Sequence, residues 1–281
     1  MIHTETTMAE YQARQALSAG MAWQGVTECW AQAWHDSVFN PERRRQEARH
    51  YDFGTAVHFA IEDQSSLGKH VVVIDADSYR TKTAKEARDR AYLEGRVPLL
   101  VGDYQAVGEL RRVLEASEAA PLLFGEGRSE VSYTWEWAGV PCKARVDRLA
   151  SGHLIDLKTA VSAGPQAFQR AMVRDGHHLR AAWYLDGWLE SVFPGAKQGT
   201  DYLYVVVAKT PPHLVAIYRL DERAVEWGRR LYRKALREFA QCRETGVWPG
   251  YCPAFADKTV TVSLPAFSEY QLGELEDEGE L

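Results

Sequence analysis

No stretch of this 281-residue sequence approaches the ~20 consecutive apolar residues needed to cross a bilayer. The first 30 residues also lack the basic start and continuous apolar run of a secretory leader, so no membrane segment is expected. Cysteine is sparse: Cys29, Cys142, Cys242 and Cys252 are scattered, without a C-x-x-C spacing. That argues against a disulfide framework or a zinc knuckle and makes a reducing cytoplasm the expected compartment. There is no internal repeat. A basic surplus, the usual footprint of a nucleic-acid protein, is missing as well, with 33 Lys and Arg against 39 Asp and Glu and a net charge of −6. The deficit is local. Ser268 to Leu281 holds six acids and no base, and the 33 acids that remain balance the 33 bases. Net charge therefore does not exclude a polyanionic partner.

With 46% hydrophobic residues the chain can bury a core of one large or two small domains. Helical patterning covers Ala9 to Leu17, Ala22 to Trp34 and Glu42 to Glu62, then Thr83 to Glu94 and Tyr104 to Glu118, with a short β-branched run at Val71 to Ile74. The period changes at Glu130. Val131, Tyr133, Trp135 and Trp137 alternate with polar partners, which is strand patterning. Ala138-Gly139 turns the chain into a strand from Val140 to Leu149, and Ala150 to His153 turns it into another from Leu154 to Thr159. Helical material follows from Gln166 to Phe193, nicked near Gly176. Strands from Tyr202 to Ala208 and Leu214 to Leu220 then lead to a helix capped by Asp221 and ending near Arg243. The expected fold is α/β with a mixed sheet and helices mostly outside the strand block.

The chemistry concentrates in ARVDRLASGHLIDLKTA. Residues two apart share a strand face, so Asp156 and Lys158 point together while Ile155 and Leu157 face the core. A four-residue turn sets Asp147 opposite Asp156 at ~5 Å, where two carboxylates repel unless a cation joins them. Mg²⁺ accepts one or two carboxylates and keeps several waters. Lys158 then stands near the attacking water and the charge that develops on a phosphate. A bare D-x-K also occurs in surface hairpins with a salt bridge, but the apolar flanks Leu154, Ile155 and Leu157 mark this strand as buried. On the helix Glu42 to Glu62, the small residues of GTAVH would bring His58 close to the sheet. A lone histidine is often an ordinary core residue. Here it could complete a ligand set, since imidazole suits Mn²⁺ and is tolerated beside Mg²⁺.

The segments GTAVHFAIED, CKARVDRL, LIDLKTA, HHLRAAWYLDGW and YLYVVVA, in that order, resemble the PD-(D/E)XK nucleases, and among them the exonuclease VIII (RecE)-like exodeoxyribonucleases of phages and prophages. The resemblance covers most of the chain. It implies a restriction-endonuclease-like core of αβββαβ order with extra N- and C-terminal helices. One nuclease domain would span 1–265, helical over 1–120 and with its core at about 42–64 and 125–220, ahead of a disordered acidic tail at 266–281. It implies metal ligands at His58, Asp147, Asp156 and the Leu157 carbonyl, and catalytic roles for Asp147, Asp156, Lys158 and, more loosely, Glu130. Val146 replaces the family's proline before the first acid, and Arg180 stands where a glutamine is usual, four residues before Tyr184.

The implied activity is Mg²⁺-dependent hydrolysis of linear double-stranded DNA from its ends, 5′ to 3′, with Mn²⁺ able to substitute. The implied partners are DNA ends, a RecT-like single-strand annealing protein and further copies of the chain in a ring. A restriction- or flap-type endonuclease and a non-catalytic DNA-end binding module are the competing readings. Candidate DNA contacts are Arg145, Arg174, Arg180 and Tyr184, with Arg170, the run Arg43 to Arg45, the basic stretch Arg80 to Arg96 with Arg111, and Trp183 or Trp188 as stacking wedges.

Overall fold

The computed structural model describes residues 2–3, 6–43, 49–62, 67–192, 200–251 and 261–278. In chain order the elements are β1 (Ile2–His3), α1 (Met8–Ala13), α2 (Ala19–Thr27), α3 (Trp30–His35), α4 (Arg49–Glu62), α5 (Leu67–His70), β2 (Val71–Ile74), α6 (Lys82–Leu93), β3 (Val97–Leu100), α7 (Val101–Glu115) and α8 (Ala120–Phe124). There follow β4 (Gly127–Trp137), β5 (Val140–Ala150), β6 (His153–Ala160), α9 (Pro165–Arg174), α10 (His177–Val192), β7 (Asp201–Ala208), β8 (Val215–Arg219), α11 (Glu222–Thr245) and α12 (Ala266–Asp277).

Period-two patterning becomes a six-stranded sheet of order β1-β4-β5-β6-β7-β8. Within this sheet, among the described residues, only β6 and β7 pair in parallel, and α9 and α10 supply the crossover such a pair requires. Both hairpins turn on two residues with positive φ, Ala138-Gly139 and Ser151-Gly152, whose twist matches that of the strands. The second turn is thus two residues long rather than four, because Ala150 and His153 already pair. The helix expected from Gln166 to Phe193 breaks where Gly176 adopts φ +68°, and a Cβ there would lie 2.4 Å from the Trp23 ring. Position 193 itself lies outside the described residues.

Each face of the sheet carries its own core. One face buries Val131, Tyr133, Trp135, Val146, Leu154, Tyr202 and Tyr204 beneath α10, with α2 and α11 outside it. The other buries Ile155, Leu157, Val205 and Val207 beneath α4, α7 and α8. The order α4, β4, β5, β6, α10, β7 is the expected αβββαβ core. Between α4 and β4 a second, two-stranded parallel sheet of β2 and β3 is inserted. Its second strand, Val97-Pro98-Leu99-Leu100, is short and holds a proline, so no strand was expected there. The tail also differs from expectation: residues Ala266–Asp277 are helical, with Phe267 and Tyr270 more than two-thirds exposed. Runs of Glu and Leu are good helix formers even where nothing covers them. No described helix is long and apolar enough to cross a membrane.

Candidate metal centre

His58 reaches the sheet because α4 lies flat on it. Ala56 and Ala60 are almost fully buried, and their small side chains permit the approach. Gly54, expected to serve that purpose, does not: a Cβ there would meet only the Thr159 hydroxyl, at 3.8 Å.

The strands are irregular where the acids stand. The β4–β5 ladder pairs Ser129 with Arg148 and Val131 with Val146, so Glu130 and Asp147 face each other between those pairs. Glu130 has φ +54°, a strained value for a side chain of this size and one that clusters at functional sites. Alternation breaks here once, for Val146 and Leu149, three residues apart, pack against the same core. The β5–β6 ladder runs from Ala150 and His153 to Arg148 and Ile155 and stops. One further step would pair Asp147 with Asp156. Instead the Leu157 amide donates to Asp147 Oδ2 at 2.7 Å. The expected opposition of the two acids holds in register, but the strands separate there and a side chain closes the gap.

The outcome is a cluster in which ligand atoms of His58, Glu130 and Asp147 all lie within 4.8 Å of one another. His58 Nδ1 stands 3.9 Å from Asp147 Oδ2. A narrow cleft of about 10 Å³ lies beside them, lined in part by His58, Ile61, Glu62, Leu123 and Asp147. Desolvation, and then the charge of Asp156, pushes the Asp147 carboxyl well above its usual range. Glu62, one turn beyond His58, is pushed up to about 8 by desolvation and by the charge of Glu130. Burial holds His58 below the ordinary imidazole value, which keeps it neutral and able to ligate. Carboxylates crowded beside a neutral imidazole, with ordinary ionisation suppressed, fit the needs of a hard divalent cation. The donor set therefore suits the metal ion that the sequence implies.

Asp156 adjoins this group: the Asp147 carboxyl donates to its carboxylate, and cations hold its other side. It is 4% exposed and accepts from the Lys158 ammonium through Oδ1 and from the Tyr202 hydroxyl through Oδ2 at 3.1 Å. Burial opposes its charge, yet Lys158 and Arg180 hold its pKa below the usual carboxylate range. Of the expected ligands, the structure thus gathers His58 and Asp147 with Glu130, and sets Asp156 between Asp147 and the lysine. Leu157 is buried, with its amide on Asp147.

The expected DNA contacts divide. Arg145 is turned inward: it bonds the Glu130 carboxylate, the Thr6 carbonyl and the Ser132 hydroxyl, with its side chain only 10% exposed. Tyr184 donates to the Arg145 carbonyl at 3.0 Å, and Trp183 and Trp188 are buried, so none of these three presents a ring to a ligand. Arg111 bonds the Ala60 carbonyl at the end of α4 and pairs with Glu115. Such inward arginines hold elements together; a sequence reading sees their charge and not their direction. Arg180 faces Asp156, which keeps it charged against the cost of burial. Arg174 and Arg170 are exposed, Arg174 paired with Asp175. Arg80, Lys82, Lys85 and Arg90 are exposed on or beside α6, and Arg43 is exposed too; Arg44 and Arg45 lie outside the described residues. Sequence reading missed Glu62, although its spacing of four from His58 places it on the same helix face. It also missed Tyr202, which reaches Asp156 only through the β6–β7 pairing.

A family profile described as a "PDDEXK-like domain of unknown function (DUF3799)" matches residues 24–256. Among solved structures, one described as a "putative exonuclease" from Eubacterium rectale is similar with a TM-score of 0.63 at 11% identity, covering 96% of this chain and 100% of the other. At that identity the likeness is one of fold. Another, SSO0001, covers 83% of this chain and 87% of its own at 14% identity, but its TM-score of 0.27 carries no argument. No curated protein matches.

Proposed function

This chain belongs to the PDDEXK-like family, and on that footing we propose that it hydrolyses DNA phosphodiester bonds with a divalent metal ion. The observation that carries this reading is the His58–Glu130–Asp147 cluster, at the point where the β5–β6 ladder opens. We assign the ion, Mg²⁺ with Mn²⁺ as substitute, to these three residues. Such an ion would polarise the scissile phosphoryl group and lower the pKa of an attacking water.

The protein's own contribution is positional. Asp156, anchored by Tyr202, holds the Lys158 ammonium. That fixed positive charge faces the phosphoryl oxygens and grows in value as negative charge develops on them. Arg145 holds Glu130 and so fixes one side of the cluster. Leu157 holds Asp147 through its amide. Glu62, its carboxyl at about 8, holds its proton near neutrality and can give it to a neighbour on the same cluster.

The finer reading is an end-dependent exonuclease digesting linear duplex 5′ to 3′, within residues 1–265 as one catalytic unit. It rests on the sequence resemblance to the exonuclease VIII group and on the description of the Eubacterium rectale relative. A ring of copies, a single-strand annealing partner and a cytoplasmic location go with it. The test is incubation of end-labelled linear duplex and closed circular DNA with Mg²⁺, Mn²⁺ or EDTA. Metal-dependent loss of the linear form with the circle intact is expected. Cleavage of the circle would make the enzyme an endonuclease, and no metal-dependent loss of either would remove the proposal.

A further inference from the structure

Helix α11 carries seven Lys and Arg against four Glu in a chain whose net charge is −6. Its buried side, including Gly228, Tyr232, Ala235, Leu236 and Phe239, packs toward α10 and α2. The opposite side presents Arg223, Trp227, Arg230, Lys234 and Arg237, all exposed. Spacings of four, three, four and three put them on one stripe, ~21 Å long at the α-helical rise. Trp227 stands in its midst, 52% exposed, with the Arg230 guanidinium 4.9 Å from its ring centre. The nearby Trp183 and Trp188, on α10, are buried, so this indole is the exception among its neighbours.

The acids within the helix do not cancel the stripe. Glu226 is shared among Arg229, Arg230 and Arg233 at 3.6–3.9 Å, and Glu238 takes Lys234. Arg223 and Arg237 have no acidic partner among the described residues. The stripe also lies away from the metal centre, since α11 packs outside α10 on one face of the sheet while His58 stands on α4 against the other.

We propose that this outer face of α11 is a second nucleic-acid surface, one that holds a single strand. Charge complementarity identifies a polyanion. The exposed indole selects a strand whose bases are free to stack, because a duplex keeps its bases away from a helix laid on its backbone. In this role the arginines track phosphates and Trp227 stacks a base. The inference goes beyond hydrolysis and does not depend on it, because binding is measured with the cleavage chemistry switched off.

The experiment is fluorescence anisotropy of labelled oligo(dT) with the full chain in EDTA, titrated over salt concentration. Replacing both Arg223 and Arg237 by Gln should weaken binding about tenfold and flatten the log–log salt slope by about 1.4, at about 0.7 for each cation removed from a single-strand contact. Trp227→Ala should weaken binding by a similar factor with the slope unchanged. These side chains are exposed, and circular dichroism checks that the variants fold. Parental affinity and slope in both variants would overturn the proposal. So would equal competition by duplex DNA, or strand binding that emerges only after removal of 266–281, which would make the acidic tail the occupant.

Discussion

Asp147 has His58, Glu130 and Glu62 on its side, whereas Asp156, on the next strand and in contact with Asp147, has Lys158, Arg180 and the Tyr202 hydroxyl on the other. The first group is short of positive charge, and Asp147 and Glu62 are pushed toward their neutral forms. The second is supplied with it, and its acid stays ionised although buried. Two aspartates that look alike in sequence thus have opposite needs. One lacks a cation and can recruit a metal; the other already has a cation and can hold it in place.

The largest effect that separates them is on turnover. Asp147→Asn should lower metal-dependent hydrolysis by at least ~10³-fold in a folded protein, as expected for loss of a charge at the reacting centre. Near-parental activity on end-labelled duplex would show that the cluster is not where reaction occurs. Metal affinity comes next. Glu130→Gln and Asp147→Asn should weaken Mn²⁺ binding by calorimetry about tenfold or more, while Asp156→Asn should change it far less and act on turnover through Lys158. Equal loss in all three would return Asp156 to the ligand set.

A third prediction concerns the well-supplied side. Burial, then the charge of Lys158, lowers the His177 pKa to about 4, against Asp156 and Asp175, which raise it. A base with a depressed folded value is stable as the neutral form above the unfolded value near 6.5. It destabilises the fold as pH drops from there toward 4. The loss should reach about 3 kcal/mol at full protonation. Chemical denaturation at pH 7 and pH 4 should show it, and His177→Phe should flatten that part of the profile. The smallest effect is at Glu62. Glu62→Gln removes a charge that forms only above about pH 8 and repels Glu130. The metal-free protein should therefore gain about 1–3 °C in Tm at pH 9 and nothing near pH 5. A gain at pH 5 as well would mean that the repulsion is not its source.

Most of the fold was legible because it rests on local periodicity. The alternation from Glu130 to Trp137 became β4, the two hairpins followed, and Asp221 caps α11 as expected. The insertion β2–β3 and the helical tail were less legible, the first because parallel pairing is non-local and the second because composition was read as disorder. In the site, His58, Asp147, Asp156 and Lys158 were named from type and spacing. Their division into two groups was not, since spacing cannot say which oxygen meets which partner. The arginines show the same limit: Arg145 and Arg111 count as positive charge in the sequence and as internal braces in the structure.

By itself, then, the sequence determined the order of elements, the face of the central strands and the residue types of a phosphodiesterase site, because each is written in neighbours along the chain. Only the tertiary structure decided that Glu130 joins His58 and Asp147 while Asp156 links Asp147 to Lys158, and that Trp227 lies bare among arginines. Both depend on how strands separate and helices face, which is settled by contacts between residues far apart in the chain and by the cost of burying a charge without a partner.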